Sequence, residues 1–314
     1  MVRTVVAGID GSSESLAAAE WAAREAKLRG LPLKLVHVWE PVPEPTAQVP
    51  SRGTETSQDR SDQGETGALP AEGWRRTARQ VVEGVRLRQP GLDVTVQQLS
   101  GRPAEALTKV AEDAELLALG SRGLSGLGGF VMGSVGLSVV AHVQRPVVLV
   151  RAGKQAVDKH EPGEIGIPPA ATRYRPVVLG IDVGDTDDAV LAFAFREAGR
   201  RATALRVVHG WNLPPYYVYG ASADLELRDK IVQQQSAALA EILRPWQQGY
   251  PTVEVVGESR FGSPANHLVD ASDHASLIVV GRRVRRSPIG AHIGPVTHAV
   301  LHHSTAPVAV VAHS

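Results

Sequence analysis

Between Gly120 and Ser134 the chain reads GSRGLSGLGGFVMGS, six glycines and three serines flanked by apolar runs. Residues of these types at this density do one of two things. They make a flexible spacer, or they make a cradle for an anion. Glycine lets main-chain amides approach a phosphate with no Cβ in the way and tolerates positive φ. A serine opening a helix adds its hydroxyl to the free N–H groups of the first turn, where the helix dipole also attracts negative charge. The stretch lacks the GK[ST] ending of a P-loop, and no GxGxxG follows the first apolar run.

The elements around the stretch decide between the two readings. The chain is written twice. VVAGIDGS (5–12) returns as VVLGIDVG (177–184), and REA at 24–26 returns at 196–198. LVHVW (35–39) returns as VVHGW (207–211), GRPAEAL (101–107) as GSPANHL (262–268), and RPVVLV (145–150) as APVAVV (306–311). Early and late matches have different offsets, so the first copy carries an insertion. Residues 41–73, polar, rich in Pro and Gly and without an aromatic residue before Trp74, are expected to be a mobile loop. The expected domains are 1–151 and 175–314, joined by a polar linker, 152–174.

In the first copy TVVAGI (4–9), LKLVHVW (33–39), DVTVQQL (93–99), ELLALG (115–120) and PVVLV (146–150) read as strands. Between them Leu16, Ala19, Ala23 and Ala26 recur at helical spacing, as do Ala104, Leu107, Val110, Ala111 and Ala114. Pro103 and Pro264 suit first helical turns. Strands apolar throughout and alternating with helices predict an α/β fold: two doubly wound domains, each with a parallel sheet covered on both faces. Ligands bind such sheets at the carboxyl ends of the strands. Gly120 ends a strand, and Val135, Leu137, Val139, Val140 and Val143 pattern a helix after Ser134. The stretch is then a strand-to-helix connection on the ligand edge, where a spacer has no purpose and a cradle does.

Charge narrows the function classes. Lys+Arg and Asp+Glu balance at 33 each, so no global field draws the protein to nucleic acid or to an anionic membrane. The chain has no cysteine, which excludes disulfides and thiolate metal sites. MVRTVVAGIDGSSES has too short an apolar run for a signal peptide, and no later run is long enough to span a membrane. A cytoplasmic protein is expected.

Gly120-x-x-Gly123, then nine residues, then Gly133-Ser134 resembles the nucleotide-binding signature of universal stress proteins, G-x2-G-x9-G-[ST]. The end of the first strand, Gly8-Ile9-Asp10-Gly11-Ser12, the second strand Leu35-Val36-His37-Val38, and His142 followed by Arg145-Pro146-Val147 agree with it. Both copies share the resemblance, which therefore covers the chain as a tandem universal stress protein. It implies five-stranded sheets of order 3-2-1-4-5 with ATP across the ends of strands one and four. Carried over, Gly8, Ile9 and Asp10 border adenine and ribose, and Asp10 accepts from ribose hydroxyls. The main chain of Val38 meets the adenine edge. Gly120, Ser121, Arg122 and Gly123 line the ribose–phosphate side, and Gly133, Ser134 and Val135 cradle the phosphates, with Mg²⁺ carried on the ATP.

The second copy answers the same question with GRRVRRSPIGAHIGP, 281–295. Gly123 is matched by Val284, Ser134 by Pro295 and Val38 by Gly210. Proline at the helix start removes an N–H and the hydroxyl. Ile181, Asp182, Gly281, Arg282 and Gly294 define a second site, expected to bind weakly, differently or not at all. The Arg282-Arg283-x-Arg285-Arg286 run reads first as a solvated loop and second as guanidinium forks on phosphate; with no interleaved aromatics, RNA binding has little support.

Asp10 also reads as a cap for the helix that follows it. His37 and His209 read as core or strand-end histidines, and His142 and His303 as cations closing the fourth helices. His292, His298, His302 and His303 lack a carboxylate to complete a metal shell. Trp39 and Trp211 read as seals at strand ends; Tyr216, Tyr217 and Tyr219 lie in a loop of the second copy. The last strands, Val147–Val150 and Val308–Val311, would be sticky if bare. The family pairs this strand between domains, so the two copies are expected to pair through them, and a homodimer of chains is a further expectation.

Phosphoryl transfer needs a cation, a held Mg²⁺ and a group placing the nucleophile. The first glycine stretch offers Arg122 and no lysine, and no SGGxDS loop follows the first strand. The resemblance thus implies a non-enzymatic, ATP-binding stress-response protein with its main site in the first copy. The alternatives are a slow ATPase or phosphotransferase on the same scaffold, and a partner-binding scaffold with vestigial sites.

Overall fold

Five short apolar segments of the first copy become β1 (Thr4–Gly8), β2 (Leu33–Trp39), β3 (Val94–Ser100), β4 (Ala114–Ser121) and β5 (Val147–Arg151). The helices between them are α1 (Ser13–Arg29), α2 (Ala71–Arg88), α3 (Pro103–Glu112) and α4 (Ser134–His142). The second copy repeats the order with β6 (Val177–Gly180), α5 (Asp188–Arg200), β7 (Leu205–Trp211), α6 (Leu225–Gly249), β8 (Val255–Phe261), α7 (Pro264–Ser272), β9 (Leu277–Arg283), α8 (Pro295–His303) and β10 (Val308–His313). This computed structural model describes residues 3–40, 71–121, 133–153, 160, 172–212, 225–284 and 293–314. The sequence-predicted mobile loop lies outside them up to residue 70; its last residues, from Ala71, belong to α2.

The strands form one ten-stranded sheet ordered β3-β2-β1-β4-β5-β10-β9-β6-β7-β8. Each half is a parallel doubly wound sheet, as alternating strands and helices dictate, with the order 3-2-1-4-5 that the resemblance implies. The halves meet where β5 and β10 pair antiparallel, Val147 opposite Val310, Val148 opposite Ala309 and Leu149 opposite Val308. Successive strand residues feed opposite faces. Val5 and Ala7 join Leu116 and Ala118 beneath α1, α2, α5 and α6, while Val6, Leu117 and Leu119 pack with Leu107, Val139 and Val140 from α3 and α4. Both layers run unbroken through the two halves.

Two local features bear on the ligand edge. Helix α1 carries Ala18, Ala19, Ala22, Ala23 and Ala26, all essentially buried, so it lies close on the sheet. Gly120 continues that close approach: a Cβ there would fall 2.5 Å from the Glu14 carbonyl carbon and 2.7 Å from the Ser15 nitrogen. Glycine at 120 therefore lets the end of β4 touch the start of α1.

A buried ionic ring ties the halves together. Arg29 Nε donates to Glu25 at 2.7 Å and its terminal nitrogen to Glu197 at 2.6 Å. Arg201 reciprocates, donating to Glu25 at 2.6 Å and to Glu197. All four side chains are at most 3% exposed. Each glutamate and arginine of a pair stand one helical turn apart, the spacing at which side chains on a helix meet. The repeated REA tripeptides supply the two glutamates. Burial and the neighbouring Glu197 charge push the Glu25 carboxyl up, against the pull of Arg201 and Arg29. Burial pushes Glu197 the same way, but Arg201 and Arg29 outweigh it and hold that carboxyl down to about 2.

Candidate functional site

The pairing of β1 with β4 sets Ala7 beside Ala118, so Gly8, Ile9 and Asp10 leave the sheet next to Leu119, Gly120 and Ser121. Ile9 is buried, and its N–H donates to Val36 O at 2.8 Å, which draws the end of β2 alongside. Asp10 is exposed beyond it. Its Oδ1 accepts from the Ser12 N–H at 2.9 Å and from the Ser12 hydroxyl at 2.5 Å, while Ser12 caps α1 by accepting from Ser15 N–H at 3.2 Å. The carboxylate is thus held through the cap rather than serving as the cap. Gly8 is a packing residue: a Cβ there would lie 2.6 Å from a Leu119 methyl. Val38 is half-buried on the core beneath α3 and α4.

Ser121 is buried and its hydroxyl donates to Val150 O at 3.4 Å, toward β5. Arg122 and Gly123 lie outside the described residues. Gly133 is the N-cap of α4 and Ser134 its first residue, exposed; Val135 packs on the core. Among the described residues no side chain caps this helix start, as at α3 and α8, so the amides of its first turn keep their donor capacity there, whereas Ser12, Asp187 and Ser263 cap α1, α5 and α7. Gly133 has φ −61 and ψ 150, a conformation open to any residue, and a Cβ there would meet nothing within 4 Å. Among the described residues, what glycine preserves at this point is open space beside the helix N-terminus, which a side chain would enter.

His37, at the end of β2, is buried and stacks on Trp74 with ring centroids 3.9 Å apart. Its Nδ1 is buried with no hydrogen-bond partner among the described residues. Burial lowers its pKa, and the nearby Asp10 charge works against that shift. The matching His209 is satisfied, by Ile181 O at 3.3 Å and Gln235 at 3.0 Å. The Trp74 contact escapes sequence reading because the insertion separates the two residues.

In the second copy Ile181, Asp182, Gly281, Arg282 and Gly294 all line one cavity of about 300 Å³ at the carboxyl ends of β6 and β9. Arg282 turns its guanidinium away, donating to Val143 O of the first half at 2.7 Å. Arg283 is ion-paired with Asp185. Arg285, Arg286, His292 and the three loop tyrosines are outside the described residues. Trp211 is buried against Phe261 and Trp39 is 40% exposed. His142 and His303 stand in the last turns of α4 and α8. Among the described residues no group of three His, Asp or Glu is placed to hold a metal, and no helix is long and apolar enough to cross a membrane.

Comparison with known proteins agrees with this architecture. The sequence profile of the Universal stress protein family matches residues 1–151 and 173–312. A universal stress protein of Mycobacterium tuberculosis is 30% identical over 324 residues, covering 99% of this chain and 97% of its own. The crystal structure of a universal stress protein from Archaeoglobus fulgidus superposes with a TM-score of 0.60 at 16% identity, covering 99% of this chain and 98% of its own. A universal stress protein solved in complex with cAMP covers 48% of this chain and 99% of its own, 25% identical, with a TM-score of 0.35.

Proposed function

This chain belongs to the universal stress protein family, carrying two of its repeats, and on that premise we propose that it is an ATP-binding regulatory protein whose principal site is the ligand edge of the first repeat. The observation that carries the reading is the open helix start at Gly133: among the described residues, an uncapped N-terminus beside a glycine whose backbone conformation does not require glycine. Main-chain donors at such an end bind phosphate, with the dipole reinforcing them. Ser134, exposed at the first helical position, adds a hydroxyl. Asp10 presents a carboxylate to ribose hydroxyls, and the orphaned Nδ1 of His37 beside it offers a further polar contact. Arg122 and Gly123 complete the predicted ribose–phosphate contacts. Mg²⁺ travels on the nucleotide, and the cytoplasm, where ATP is abundant, is the expected setting.

Isothermal titration of the full chain with ATP tests this. One tight site per chain is expected, and Gly133→Trp, which enters this open space without touching the core, should weaken ATP at least a hundredfold while leaving the circular dichroism spectrum unchanged. Titration with AMP and cAMP ranks the number of phosphates the site prefers. Nucleotide analysis after prolonged incubation separates a binder, which returns ATP, from a slow ATPase, which returns ADP. A folded wild-type chain that binds no ATP, or a Gly133→Trp chain that binds it as well, refutes the proposal.

A further inference from the structure

We propose that the cavity of the second repeat takes an uncharged nucleoside, a base carrying an unphosphorylated ribose, and disfavours a nucleoside triphosphate. The inference rests on the reading of these strand ends as a platform for base and ribose; the charge of the cavity and the helix at its mouth supply the rest.

The cavity is formed. At about 300 Å³ it sits at the low end of the range that holds small organic ligands, roughly 300–1,000 Å³. Its walls are apolar where Val190, Val208, Leu268 and Val280 line it, a surface suited to a flat ring. Gly294 repeats the open geometry of Gly133, with φ −60, ψ 154 and nothing within 4 Å of a would-be Cβ. The second repeat has therefore kept the open helix start.

It has kept less of the anion chemistry: the amides after Pro295 remain, but the first position is changed. Pro295 opens α8, so the first helical position has neither the N–H nor the hydroxyl that Ser134 supplies in the first repeat. Asp182, Asp185 and Asp187 stand around the mouth. Of the two lining arginines, Arg282 is 4% exposed with its guanidinium bound to Val143 O, and Arg283 is paired with Asp185. His313, on the same wall, has its Nδ1 3.9 Å from Asp187. Among the described residues a triphosphate would meet the carboxylates of Asp182 and Asp187 beside an Asp185 already paired with Arg283, and like charges at short range repel. Ribose hydroxyls fit the same carboxylates well, because hydroxyls donate and ionised carboxylates only accept. One Asp182 oxygen already accepts from the Gly184 N–H at 3.0 Å, which fixes the carboxylate and leaves its second oxygen for a ligand hydroxyl.

The test uses the full chain carrying Gly133→Trp, so that only the second site is read, with adenosine, guanosine, cytidine and uridine as probes in isothermal titration. At least one nucleoside should bind with one site per chain. Adding Gly294→Trp should weaken it at least tenfold, and Asp182→Asn should weaken it about tenfold while leaving the 2′,3′-dideoxy analogue unaffected. The matching triphosphate should fail to displace the nucleoside at a hundredfold excess. Displacement by the triphosphate at comparable concentration overturns the proposal, as does failure of all four nucleosides to bind. The two proposals fail separately. ATP binding to the wild-type chain with no nucleoside binding to the Gly133→Trp chain sinks this one alone; nucleoside binding to the Gly133→Trp chain with no ATP binding to the wild type sinks the other alone.

Discussion

Arg201→Met breaks the ionic ring between the halves at a point where the structure sets the size of the loss. Arg201 is the contact of Glu25 at 2.6 Å and a second partner of Glu197, and both carboxylates are at most 1% exposed. After the substitution Glu25 keeps only Arg29, which it must share with Glu197. Removing one member of a buried ionic group leaves charge without compensation and costs about 3–5 kcal/mol. With a urea dependence of about 3 kcal/mol per M, the unfolding midpoint should fall by at least about 1 M. Tryptophan fluorescence is a suitable probe, since Trp21 is on the buried face of α1 and Trp246 packs on Phe195 with centroids 5.7 Å apart. The companion variant replaces the whole ring, Glu25→Leu, Arg29→Met, Glu197→Leu and Arg201→Met, and leaves the half-exposed Glu115 and Arg200 in place. It removes the desolvated charges together with their attraction, and is expected to be as stable as the wild type or up to about 4 kcal/mol more so. A midpoint shift for Arg201→Met below about 0.3 M, the size of an exposed pair, or a fourfold variant as weak as the single one, refutes the reasoning.

Gly120→Ala places a methyl 2.5 Å from main-chain atoms of Glu14 and should cost about 1–3 kcal/mol in thermal or urea unfolding, whereas Gly133→Ala, in open space, should stay within about 0.5 kcal/mol of the wild type. His37 is depressed by burial, so the native state binds fewer protons there than the unfolded chain; its contribution is present above the ordinary histidine value of 6.5 and is lost as pH falls through the lower native value. His37→Gln should accordingly flatten the fall in Tm between about pH 7 and pH 5, and an unchanged slope refutes that assignment. Val148→Asp puts an unpaired charge into the buried β5–β10 seam; amide exchange of Val308–Val310 should rise well before that of β6 and β7, as measured by mass spectrometry.

How far the sequence could be read follows from the range of the interactions. The strands, the helices and the doubled architecture were legible because each rests on local patterning, β-branched runs and helical alanine spacing repeated at fixed offsets, whereas the strand order came from the family resemblance. The glycines were legible as a signature, but their reasons were not. Gly133 sits at φ −61 and gives clearance, and Gly120 serves contact between β4 and α1. The REA repeat was visible as letters; that Glu25 and Glu197 share two arginines across the halves depends on the packing of helices about 170 residues apart. The direction of Arg282 was hidden for the same reason, since its acceptor, Val143 O, belongs to the other repeat.

The antiparallel seam between β5 and β10 has a geometric corollary for the two ligand edges. Within each half all strands run the same way, so reversing direction at the seam sends the carboxyl ends of the halves to opposite rims of the shared sheet. Ligands at the two strand-end edges would face away from each other and would not compete for room. Duplication on this plan sets the two ligand edges on separate rims, so any coupling between them would have to travel through the packed centre of the protein.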